Sequence, residues 1–125
     1  MAKKKILVVD DEADFTRLMK LNLEITGKYE VHTENRGLLA LEAVKSFSPD
    51  IIFLDVLMPD IMGSEVAAIL KEDEEARKIP IVFLTAVVGK EEVVSKGSMI
   101  GGYLFVAKPV SVDEIVEVIE ENTGK

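Results

Sequence analysis

Four short runs, Ile6-Leu7-Val8-Val9, Ile51-Ile52-Phe53-Leu54, Ile81-Val82-Phe83-Leu84 and Leu104-Phe105-Val106-Ala107, are apolar at every position. Runs this short, and rich in β-branched residues, form strands, and unbroken rather than alternating apolarity means that both faces of each strand are covered. A chain built this way folds around a parallel sheet with helices on each side. A fifth run, Tyr29 to Thr33, sets Glu30 and His32 alternately against Tyr29, Val31 and Thr33, and reads as a half-exposed edge strand.

Helical spacing fills the gaps between the runs. Phe15, Leu18, Leu21 and Ile25 form one stripe, with Gly27 following where a left-handed C-terminal cap is expected. Leu41, Val44 and Phe47 form a second, ended by Pro49, and Met62, Val66, Ile69 and Leu70 a third. A short fourth segment, Lys90 to Ser98, contains Gly97 and is expected to be the least stable helix. The fifth carries Val112, Ile115, Val118 and Ile119 behind a capping box, Ser111 with Glu114 three residues on. Strand followed by helix, five times over, predicts an α/β doubly wound domain with right-handed crossovers and helices on both faces. No linker or second compositional regime interrupts residues 1–125, so a single domain with no output domain is expected.

Composition narrows the function classes. The formal charge of −8 opposes sequence-independent binding to a phosphate backbone, so no direct nucleic-acid contact is expected. Cysteine is absent, which removes disulfides, thiolate metal sites and cysteine nucleophiles. No apolar run approaches the roughly 20 residues of a membrane span, and none follows Met1 to Lys5. The expectation is a cytoplasmic protein without membrane insertion.

Ligands of an open parallel sheet bind beyond the carboxyl ends of its strands. Asp10, Asp11 and Glu12 follow the first run, Asp55 the third, Thr85-Ala86 the fourth and Lys108-Pro109 the fifth. Gathered carboxylates repel by about 4 kcal/mol per pair at 4 Å and an effective dielectric near 20, so positive charge must compensate. Oxygen ligands with room left for water select a hard cation, Mg²⁺ better than Ca²⁺. Lys108 adds a fixed charge and Thr85 a hydroxyl donor. Together these are the parts for handling a phosphoryl group with a carboxylate nucleophile.

In this arrangement the chain resembles a response regulator receiver domain over essentially its whole length. The resemblance rests on Asp10-Asp11, Asp55 followed by Met58-Pro59 and Gly63, Thr85-Ala86, and Lys108-Pro109, in that order at the ends of four strands. It implies a five-stranded flavodoxin-like sheet of order 2-1-3-4-5. It also implies that Asp55 is the phosphoacceptor, that Asp11 binds Mg²⁺ directly, Asp10 through water and Leu57 through its backbone carbonyl, and that Thr85 and Lys108 bind phosphoryl oxygens. Phe105, three residues before the lysine, corresponds to the aromatic that reorients on phosphorylation. The implied function is a switch, not a turnover enzyme. A sensor histidine kinase or phosphotransfer protein would phosphorylate Asp55, and the face of the fourth helix, fifth strand and fifth helix would signal to a downstream protein or support a phosphorylation-dependent homodimer.

Some residues depart from the family pattern. Gly101-Gly102-Tyr103-Leu104 replaces the small and acidic residues usual before the switch aromatic, and makes that face more apolar. Leu57 and Val87, two beyond Asp55 and Thr85, cannot orient a water, so slow self-dephosphorylation is expected. Phe105 lacks a tyrosine hydroxyl, so its two positions must differ by packing alone.

Rival functions fit less well. A flavin carrier needs backbone donors in its first loop, where Asp10-Asp11-Glu12 would repel phosphate. A haloacid-dehalogenase-like phosphatase needs a second Asp where Leu57 stands, and no glycine-rich nucleotide loop is present. The alternative that remains is a receiver-like interaction module that works without phosphorylation. His32, on the edge strand, reads as a surface histidine rather than a phosphodonor.

Overall fold

The structure is a computed structural model that describes residues 2–85, 98–100, 103–108 and 111–123. Its elements are β1 (Lys4–Val9), α1 (Ala13–Glu24), β2 (Tyr29–Glu34), α2 (Ala40–Phe47), β3 (Ile51–Asp55), α3 (Gly63–Lys71), β4 (Ile81–Thr85), β5 (Ser98–Ile100), β6 (Tyr103–Ala107) and α4 (Val112–Thr123). The sheet runs β2-β1-β3-β4-β6-β5. Its five parallel strands stand in the expected 2-1-3-4-5 order, with β6 as the fifth. Tyr29 to Thr33 is indeed an outer strand. The far edge carries one addition: β5 pairs antiparallel with β6, Ser98 opposite Phe105 and Ile100 opposite Tyr103. Of the segment read as a fourth helix, Lys90 to Gly97 lies outside the described residues, and Ser98 belongs to β5.

Alternation along the buried strands sends successive side chains to opposite faces. Ile6, Val8, Ile51, Phe53, Val82, Leu84 and Val106 pack beneath Met19 and Leu23 of α1 and Ile115, Val118 and Ile119 of α4. Leu7, Val9, Ile52, Leu54, Ile81 and Phe83 pack beneath Ala40, Ala43 and Val44 of α2 and Val66, Ala67 and Leu70 of α3. The sheet is therefore sealed on both faces, and its polar groups emerge at the strand ends.

Two helix faces differ from the sequence reading. On α1 the sheet is met by Thr16, Met19 and Leu23, while Leu18, Leu21 and Ile25 are 57%, 59% and 78% exposed. This helix carries two apolar stripes, and periodicity cannot say which one the β1–α1 connection turns inward. On α3 the small Ala67 packs inward in place of the exposed Ile69, and Met62 precedes the helix. The capping box of α4 is present: Glu114 N–H donates to Ser111 Oγ, and Ser111 N–H to Glu114 Oε1, both at 3.1 Å. Helix α2 stops at Phe47, one residue before Ser48 adopts φ 53° and donates its N–H to the Val44 carbonyl at 2.8 Å. Among the described residues no helix is long and apolar enough to cross a membrane.

Two glycines separate backbone strain from steric exclusion. Gly27 has φ +81° with open space around its Cα, whereas a Cβ on Gly63 would collide with the Asp55 carbonyl oxygen. Gly27→Ala should cost about 1–2 kcal/mol, a fall of roughly 5 °C in Tm, because only the left-handed backbone is strained. Gly63→Ala should cost about 3 kcal/mol or more, because the atoms it meets are backbone and cannot move aside. Thermal melts of the two variants check the ordering; an equal loss would contradict it.

Candidate functional site

The ends of four parallel strands meet at one edge, and each contributes one group. Asp10 follows β1 and is fully buried. Its N–H donates to the Glu34 carbonyl at 3.0 Å, and its Oδ1 accepts the Glu12 N–H at 2.9 Å. Asn35 Nδ2 donates to the Asp10 carbonyl at 2.8 Å and to Thr16 Oγ1 at 3.1 Å, which ties this turn to α1. Asp55 ends β3. The next residue, Val56, donates its N–H to the Leu84 carbonyl at 3.0 Å and accepts the Gly63 N–H at 2.8 Å. Glycine at 63 thus lets the start of α3 close on the Asp55 backbone. Thr85 ends β4, is buried, and accepts the Lys108 N–H on its carbonyl at 2.8 Å. Register does the rest, since Ala107 lies opposite Thr85 and Lys108 is the residue after it.

The side chains close a cleft of about 190 Å³ lined by Asp11, Glu12, Asp55, Val56, Leu57, Thr85 and Lys108. The Lys108 ammonium lies 2.6 Å from Asp10 Oδ2, 3.1 Å from Glu12 Oε1 and 3.6 Å from Asp55 Oδ1. It also sits 4.6 Å from the centre of the Phe15 ring, on its face. Asp10, Asp11 and Asp55 each bring a carboxylate oxygen within 4.8 Å of the others. Burial raises the Asp55 pKa first and the Asp10 charge second; Lys108 pulls the other way, Asp11 adds to the rise, and the carboxyl ends at about 7. Asp10 is also raised, again chiefly by burial, against the opposing pull of Lys108 and the Glu12 N–H. Burial would lower Lys108, but Asp10, with Asp55 and Glu12 behind it, outweighs burial and holds the ammonium above its ordinary range.

A divalent cation fits this donor set. The ligand atoms are all oxygens, three carboxylates converge, and the buried Asp10 Oδ2 has the Lys108 charge beside it but no aligned hydrogen-bond donor. An added cation would relieve the repulsion that adds to burial in raising the Asp55 pKa.

Among the described residues, the site residues singled out from sequence come together with the exception of Phe105. Asp10, Asp11, Asp55, Leu57, Thr85 and Lys108 surround the cleft or its floor. Phe105 lies away from it, stacked on Phe83 at 5.0 Å between ring centroids, with Tyr103 edge-on to Phe83 at 5.1 Å. Ala86, Val87 and Pro109 lie outside the described residues. His32 stands on the edge strand 2.7 Å from Glu34 Oε2. Sequence reading missed the Glu12 and Phe15 contacts to Lys108 and the buttress from Asn35. Glu12 was visible only as part of an acidic run, and Phe15 only as a member of the α1 stripe.

Comparison with known proteins agrees with this geometry. The sequence model of the response regulator receiver domain matches residues 6–120, and the chain belongs to that family. It is 34% identical over 123 residues to the polar-differentiation response regulator DivK of Brucella ovis, covering 97% of each chain. Among solved structures it is similar to the N-terminal domain of a response regulator receiver protein from Methanoculleus marisnigri JR1, with 30% identity, TM-score 0.72 and 99% of each chain covered. The chemotaxis protein CheY4 of Vibrio cholerae superposes with TM-score 0.81 at 26% identity, over 97% of this chain and 99% of that one. Receiver domains are signalling switches of two-component systems rather than turnover enzymes, and they work with kinase or phosphotransfer partners.

The raised Asp55 pKa has a stability consequence. The folded state holds this proton more tightly than the unfolded chain, so stability falls as pH rises from about 4 to about 7. Asp55→Asn removes the penalty. In chelator at pH 8 its Tm should exceed that of the wild type by roughly 5 °C, and the gain should vanish near pH 4. A gain independent of pH would show that the carboxylate charge is not its source.

Proposed function

We propose that the chain is a phosphorylation-activated switch that takes a phosphoryl group from a histidine kinase or phosphotransfer protein onto Asp55. The observation that carries this reading is the Lys108 ammonium, on a side chain 9% exposed, set between the buried carboxylates of Asp10 and Asp55 beside a third acid, Asp11. Structural ion pairs do not need three converging carboxylates at the mouth of a cleft. A phosphoryl-transfer site does.

In the proposed step a carboxylate oxygen of Asp55 bonds to phosphorus while the P–N bond of the donor phosphohistidine breaks, and its electron pair returns to the imidazole nitrogen. Lys108 donates to a phosphoryl oxygen, and the Thr85 hydroxyl to another. Asp11 and Asp55, with Asp10 and the Leu57 carbonyl, would hold Mg²⁺, which supplies charge neutralisation at the phosphoryl oxygens. Movement of Thr85 toward the new group opens space that Phe105 can fill by leaving its stack on Phe83, and the face of β6 and α4 changes for a downstream protein. Water later attacks the acyl phosphate and resets the switch. Leu57, 51% exposed at the cleft, offers that water no hydrogen bond, so the reset is slow. The proposed setting is the cytoplasm, with residues 1–125 acting as one receiver unit.

Intact mass after incubation with Mg²⁺ and a phosphoramidate or acyl-phosphate donor tests the proposal. Gain of one phosphoryl group by the wild type and none by Asp55→Asn is expected, with a half-life of minutes or longer. A half-life of seconds would contradict the role given to Leu57. No gain, together with no Mg²⁺ binding, would favour an interaction module that works without phosphorylation.

A further inference from the structure

Lys108 is the one basic side chain lining the cleft among the described residues, and its ammonium is not resting on Asp55. A hydrogen bond to Glu12 at 3.1 Å and an ion-pair contact with Asp10 at 2.6 Å hold it, while Asp55 at 3.6 Å acts through its field. An ammonium has three donors in all. Donors therefore remain for a phosphoryl oxygen on Asp55, but that oxygen must draw the ammonium away from the carboxylates already holding it.

Asp10 belongs to the acidic triad and is fully buried, whereas Glu12 stands outside the triad with a side chain 62% exposed. Glu12 also has no local reason to reach inward. It occupies the N-cap position of α1, yet its side chain makes no capping hydrogen bond. Glutamate is a poor N-cap, and the short acceptors preferred there cap by turning back on their own helix. Here the longer side chain crosses 96 residues of sequence to the Lys108 ammonium instead. The Phe15 ring, one turn along the same helix, faces that ammonium as well.

We propose that Glu12 is a latch: a positioning residue whose carboxylate holds the Lys108 ammonium back from Asp55 in the resting protein and opposes its movement onto a phosphoryl oxygen there. Its release is the cheap one, because an exposed carboxylate regains water while Asp10 cannot. The same charge stands at the mouth of the cleft, so it selects against donors of high negative charge and favours those of lower charge. This inference rests on the proposed phosphorylation of Asp55.

The test compares wild type with Glu12→Gln at saturating Mg²⁺, following phosphoryl gain by intact mass with two donors, acetyl phosphate as a dianion and phosphoramidate as a monoanion. With acetyl phosphate, the variant should react about 3–10-fold faster, the range expected for loss of one partly screened charge. With phosphoramidate the gain should be smaller. High salt should narrow the difference between donors, and Mg²⁺ affinity by calorimetry should stay within about threefold, since a charge outside the triad acts on the ion only through its field. Equal rates for wild type and variant would overturn the latch. An identical change with both donors, accompanied by a loss of Mg²⁺ affinity, would overturn it equally, because it would mean a general disturbance of the site. Failure of the wild type to take any phosphoryl group is a distinct result that removes the proposed function and the latch together.

Discussion

One ammonium among four carboxylates governs the carboxyl edge of this sheet. Lys108 contacts Asp10 and Glu12 directly and Asp55 through its field, and Asp11 completes the acidic group. At an effective dielectric near 20, each carboxylate pair at 4 Å is opposed by about 4 kcal/mol. That is comparable with the whole stability of a small domain, about 5–15 kcal/mol. A single lysine cannot balance the set, and burial, with neighbouring negative charge adding to it, raises the pKa values of both Asp10 and Asp55. The resting protein is therefore strained toward any added positive charge. A divalent cation or a proton would each relieve it.

The surrounding fold holds those groups together against their repulsion. Strand ladders fix the backbone of each: Asp10 through Glu34, Val56 through Leu84, and Lys108 through Thr85. Asn35 reaches from the end of β2 to clamp the Asp10 carbonyl. Gly63 allows α3 to begin against the Asp55 backbone, where any side chain would be excluded. Two sealed apolar layers, one under α1 and α4 and the other under α2 and α3, supply the stability that the polar edge consumes. Helix α1 is shared between the two tasks, with Met19 and Leu23 in the core and Phe15 against Lys108.

The edge at β6 has a different character. Phe83, Tyr103 and Phe105 form an aromatic group on the α2 and α3 side of the sheet, with Lys71 5.7 Å from the centre of the Tyr103 ring. Phe105 has no hydroxyl to anchor it elsewhere, so its resting position is a matter of ring stacking and burial alone. Contacts of this kind are worth about 0.5–1.5 kcal/mol beyond burial, an amount that one new charge at Asp55 could outweigh. The added strand β5 extends the sheet beyond β6, and the sequence joins the two through Gly101-Gly102.

The amino-acid sequence alone determined the strands, their parallel order by resemblance, the capping box at Ser111, and the gathering of Asp10, Asp11, Asp55, Thr85 and Lys108 at one edge. All of these follow from local patterns: unbroken apolar runs, the polar residue that ends each one, and motif spacing. Tertiary structure decided what local patterns leave ambiguous. On α1 two apolar stripes competed, and the turn from β1 chose Met19 and Leu23 over Leu18, Leu21 and Ile25. On α3 the small Ala67 went inward and Ile69 did not. The choice of Asp10 and Glu12 as the resting partners of Lys108 was likewise invisible, because charge pairing falls off within a few ångströms in space and has no period in sequence. Only the register of β4 with β6, which carries Lys108 back across 96 residues to the start of α1, brought those groups within reach of one another.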